Sequence, residues 1–133
     1  DLSMEFDLSN DSLPRFIGAS PSTRFTIHHD AESGKDGLVI WDLEVDSARC
    51  RLDIPVNPAN TAYDPKITWL PGEDRFLAES FGTFQLWDLI EAKLIDEVDS
   101  GHGGAIKVTK LLPDGRGFAC LLSDGQLVTY RFV

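Results

Sequence analysis

The sequence predicts an all-β chain made of three tandem units, each of four short antiparallel strands. Three observations carry this. Short β-type runs recur between clusters of Pro, Gly, Asp and Ser. Aromatic landmarks repeat, with Trp41 to Trp87 spanning 46 residues and Trp87 to Tyr130 spanning 43. No stretch of ten or more residues carries an apolar stripe at helical spacing.

The elements follow in order. Met4–Leu8 alternates apolar and acidic residues and fits an outer strand. Phe16–Ala19 is a short strand that enters a proline turn at Pro21, and the same turn recurs at Pro71 and Pro113. Each leads into an apolar strand beginning at Phe25, Phe76 or Phe118, and Ile67–Leu70 and Ile106–Thr109 precede the second and third turns. Next come Leu38–Trp41, Phe84–Trp87 and Leu127–Tyr130, after turns at Asp36-Gly37, Phe81-Gly82 and Asp124-Gly125, where glycine takes positive φ without a Cβ clash. Arg51–Ile54 and Leu94–Val98 close the units; Asp88–Val98 has helical propensity but lacks a cap and falls where a strand is due. Four strands per 40 to 45 residues is the signature of propeller blades. Residues 1–133 read as one partial module, with repeats near 1–48, 49–92 and 93–133.

Composition narrows the function. Hydrophobic residues at 42% exclude a wholly disordered chain. The longest unbroken apolar run, Phe118–Leu122, is far too short for a membrane helix, and Asp1–Glu5 has no signal-peptide character. Twelve Lys and Arg against 22 Asp and Glu give a charge of −10, which repels nucleic-acid phosphate and acidic lipid. Cys50 and Cys120, 70 positions apart in apolar surroundings, read as free thiols. They point to an intracellular site, cytoplasm or nucleus.

Trp41-Asp42, Trp87-Asp88 and Gly101-His102 resemble the dipeptides of the WD-repeat β-propeller family. His102 to Tyr130 is 28 residues, a spacing usual for such repeats. The resemblance implies four-stranded WD-like blades in d-abc order, each repeat giving an outer strand to one blade and three inner strands to the next. It also implies a buried network in which an Asp of the second turn holds the opening His. That His holds a Ser or Thr, which in turn accepts from the Trp indole. In the third repeat these positions are Asp124, His102, Cys120 and Tyr130; no repeat has the whole set, so apolar packing between blades is expected to dominate. Three blades are too few to close a ring. The remainder of a longer chain, a second copy exchanging outer strands, or another subunit would complete it.

The resemblance implies a non-catalytic scaffold for protein–protein interaction or complex assembly. Its partner-docking face would carry Tyr63, Asp64, His28, His29, Asp30, Phe81 and Gly103. Tyr63 and Phe81 on an acidic rim suit a partner with a basic segment. The alternative is a metal-dependent hydrolase using His28, His29 and His102. Adjacent strand residues point to opposite faces, so His28 and His29 do not readily share an ion. His102-Gly103-Gly104-Ala105 lacks the Gly-x-Ser-x-Gly elbow an esterase needs, and no phosphate-loop lysine follows. Neither a catalytic residue nor a cofactor is expected.

Overall fold

The computed structural model describes residues 15–32, 35–54, 64–102 and 105–132. They form eleven strands: β1 (Arg15–Ala19), β2 (Phe25–Glu32), β3 (Lys35–Asp42), β4 (Ser47–Leu52), β5 (Lys66–Trp69), β6 (Arg75–Ser80), β7 (Thr83–Asp88), β8 (Lys93–Asp99), β9 (Ile106–Leu111), β10 (Gly117–Leu122) and β11 (Leu127–Arg131). Met4–Leu8, Tyr63 and Gly103 lie outside the described residues.

All neighbouring strands pair antiparallel, in sheets ordered β1-β2-β3-β4, β5-β6-β7-β8 and β9-β10-β11. These are blades one, two and three. Each fourth strand follows a tight turn after the Trp-Asp pair, as the d-abc order requires. Asp88–Val98 is the end of β7, a turn and most of β8, because an exposed outer strand needs only edge pairing to override helical propensity.

One hairpin differs from expectation. Asp36-Gly37 is not a turn: both lie in β3, opposite Ala31 and Asp30. Gly37 is needed there for proximity, since a Cβ would come within 2.9 Å of the Leu52 carbonyl oxygen and the Arg51 guanidinium.

The blades stack through two apolar cores. Ile27, Leu38 and Ile40 of blade one meet Phe76, Ala78 and Trp87 of blade two. Leu77, Phe84 and Leu86, on the other side of blade two, meet Phe118, Cys120 and Leu122 of blade three. Period-two alternation puts one set on each face of the central sheet. Aromatic rings cross both seams: Trp69 lies parallel to Phe25 at 5.9 Å, and Phe84 sits 4.7 Å from Phe118. Burial at this level, at about 25 cal/mol per Å² of apolar surface, is the main cohesive term.

Polar links follow the seams. Arg15 at the head of β1 holds Asp64 through two hydrogen bonds of 2.5 and 2.9 Å. The Lys66 ammonium donates to the Ile106 carbonyl at 3.2 Å, joining blades two and three. Between the first two proline turns, Glu73 accepts from the Ser22 N–H at 2.7 Å and its hydroxyl at 2.5 Å.

Candidate functional site

Antiparallel order brings the C-terminal ends of β2, β6 and β10 and the N-terminal ends of β5 and β9 to one end of the module. That end carries His29, Asp30, Asp64, Phe81, His102 and Asp124, so most of the expected docking residues share it. Their roles differ. Asp64 is half-buried and committed to Arg15, whose pKa its hydrogen bond raises. His28 is 8% exposed, inside blade one, where Nε2 meets the Thr26 hydroxyl at 2.9 Å and the ring stands edge-on to Phe16. It leaves the surface set.

Phe81 is the opposite case, 62% exposed at the tip of the β6–β7 turn. It is held at φ 50°, a left-handed conformation costly for an aromatic residue, beside Gly82 at φ 85°. The turn is pinned from both sides. Buried Glu79 accepts the Gly82 N–H at 3.1 Å, and the Ser100 N–H donates to the Gly82 carbonyl at 2.9 Å. An aromatic side chain thus projects from a braced backbone.

The Trp-Asp positions lie toward the opposite end. Trp87 is buried in the seam between blades one and two, its indole donating to Gln85 Oε1 at 3.1 Å, and Gln85 donates on to Glu97 at 2.6 Å. Trp41 is half-buried on the other face of blade one and donates to Asp46 at 3.4 Å. Asp42 is 2% exposed and accepts from Arg24 at 3.2 Å; that guanidinium, with the Glu44 N–H, holds its carboxyl below the usual range. Asp88 turns to the Ile90 and Glu91 N–H groups and caps the following turn. Tyr130 packs against Phe118 at 5.0 Å, and burial raises its phenol pKa.

The Asp124–His102 link implied by the family pattern is not made. Asp124 accepts the Gln126 N–H at 2.9 Å, while His102 engages through its backbone, donating to Ser100 Oγ and accepting from the Ala105 N–H. An Asx turn within three residues satisfies the carboxylate locally, so the longer reach brings no gain.

The hydrolase alternative finds no support. His28 and His29 lie in blade one and His102 precedes blade three, and among the described residues no three His, Cys, Asp or Glu side chains are grouped for a metal. The thiols of Cys50 and Cys120 lie in separate sheets, and burial raises both pKa values, away from the thiolate a nucleophile needs. Arg15, Arg24, Lys66 and Glu73 were not singled out in the sequence. The only local signal was an Arg before Phe at the start of the second strand, in Arg24-Phe25 and Arg75-Phe76.

No family model matches the chain, and no curated protein matches it. Among solved structures, the β-propeller domain of Cps50 (Swd1) from Myceliophteria thermophila superposes with a TM-score of 0.63. The fold is a partial β-propeller. Sequence identity in that match is 20%, and it covers 90% of this chain but 34% of the other, so the chain spans about a third of that one's length.

Proposed function

We propose that this partial propeller is a non-catalytic, WD-repeat-type scaffold that holds a protein partner at the loop end carrying Phe81. The presentation of Phe81 carries the reading: a large apolar side chain on a strained, doubly braced turn is poor for solubility and well suited to anchoring a partner. His29 and Asp30 belong to the same surface in this reading. The charge of −10 favours a partner with a basic segment, which electrostatic attraction steers toward the acidic rim. An intracellular setting, cytoplasm or nucleus, accords with the two separate thiols. The ring is completed by the remainder of a longer chain, by a second copy or by another subunit.

Lys- and Arg-rich peptides, titrated by calorimetry, test the reading. Binding should weaken about tenfold or more, at least 1.4 kcal/mol, in Phe81→Ala. It should also weaken with added salt and in Asp30→Asn. Affinity indifferent to salt and to both substitutions removes the proposal.

A further inference from the structure

Two features of the β6–β7 hairpin work against the fold, and they meet within a few residues. The first is conformational. Phe81 and Gly82 are the central residues of a tight turn between Ser80 and Thr83, both at positive φ, the pattern that asparagine followed by glycine fills with least strain. Among the described residues Phe81 is the only aromatic held in that region.

The second feature is electrostatic. Glu79 is 6% exposed, with Phe84 directly across from it on β7. Leu77, two residues earlier on the same face of β6, packs into the core shared with blade three. The carboxylate is felt across that seam: burial is the main cause that raises the Cys120 pKa, and the Glu79 charge adds to it. A carboxylate taken out of water is costly unless a cation faces it. Among the described residues none forms an ion pair with Glu79. Lys66, its partner in register on β5, gives its ammonium to the Ile106 carbonyl instead. What Glu79 holds is the turn, through the Gly82 N–H at 3.1 Å.

The fold does not require this arrangement. The hairpin is already closed by the Ser80–Thr83 pair and by the Ser100 N–H on the Gly82 carbonyl. Three residues after Phe118 in blade three, the place that Glu79 takes after Phe76, stands Leu121, so an apolar side chain suits that register. A hairpin shaped for stability alone would carry asparagine at 81 and an apolar residue at 79. Two separate penalties, joined by one hydrogen bond beneath an exposed ring, mark a functional constraint.

We propose that Glu79 is the positioning residue of the Phe81 docking site. Its carboxylate fixes the turn so that the ring is presented in one orientation, and its burial lowers the stability of the seam between blades two and three. An anchor ordered in advance loses less freedom when a partner binds. The inference takes its purpose from the docking reading, while the hold of Glu79 on the turn is independent of it.

Two variants test this. Glu79→Met keeps the length of the side chain and removes the acceptor; Glu79→Gln keeps an acceptor oxygen without the charge. In Glu79→Met the urea midpoint should stay level or rise. The backbone order parameters of Phe81 and Gly82, read by NMR without any partner, should fall from about 0.85 to below about 0.6. Affinity for the Lys- and Arg-rich peptides, titrated by calorimetry, should weaken about tenfold, and Glu79→Gln should restore it to within about threefold of wild type. A lower midpoint in Glu79→Met would show that the carboxylate serves the fold and overturns the proposal, as does unchanged order at Phe81. Peptide binding that weakens in Phe81→Ala but not in Glu79→Met also overturns it and leaves the docking reading standing. Order lost in Glu79→Met, with peptide binding indifferent to Phe81→Ala, upholds the grip of Glu79 on the turn and removes the docking reading.

Discussion

Two tryptophans in the same dipeptide carry different weight. Trp87 is closed between two blades, with Phe76 paired across from it and a hydrogen bond to Gln85. Trp41 stands opposite Thr26 on the face of blade one turned away from blade two, and its indole bond to Asp46 is long and exposed. Trp87→Ala should therefore destabilise by about 3–5 kcal/mol, as buried aromatic truncations do, because the seam cannot collapse around the void. Trp41→Ala should cost less than half as much. Urea unfolding of both variants checks this, and equal losses would mean that the seam is not where the stability lies.

At the scale of the element, β8 is the weak member of blade two. All seven of its residues are exposed, and four of them are acidic or basic in the order Lys93, Asp96, Glu97 and Asp99. Two strands inward, β6 is central, with Phe76 to Glu79 buried. Charge on an edge strand discourages unwanted pairing but leaves little burial to hold the strand. Hydrogen exchange should show the β8 amides bonded to β7 opening about a hundredfold or more faster than those of β6. Matching protection in the two strands would show that the blade opens only as a unit.

Over the whole molecule, the outer blades each present one face that no described blade covers. On blade three, Val108, Leu121 and Leu127 form a cross-strand row, and they are 45%, 40% and 67% exposed. Apolar rows of this kind drive association. The double substitution Leu121→Lys, Leu127→Lys should lower self-association at high concentration with the fold unchanged, as read by light scattering with circular dichroism. A wild-type chain already monodisperse at the same concentration would argue that the row is too small to matter.

Strands, hairpins and the repeat were legible along the chain because each is decided within about ten residues, by period-two alternation and by turn chemistry. The Asp36-Gly37 turn was misplaced for the same reason: a glycine required by the approach of Arg51 and Leu52 reads locally like a glycine required by positive φ. Asp64, His28 and Asp124 read alike as polar residues near loops. Only tertiary contact assigned the first to Arg15, 49 residues away; the second is buried against Thr26 and Phe16 of its own sheet, and the third closed its own turn. Thus the chain by itself determined that blades form and in what strand order. Which blade faces meet and which carboxylates are consumed at seams were decided by tertiary structure. Those outcomes depend on side chains some fifty residues apart, which no local pattern encodes.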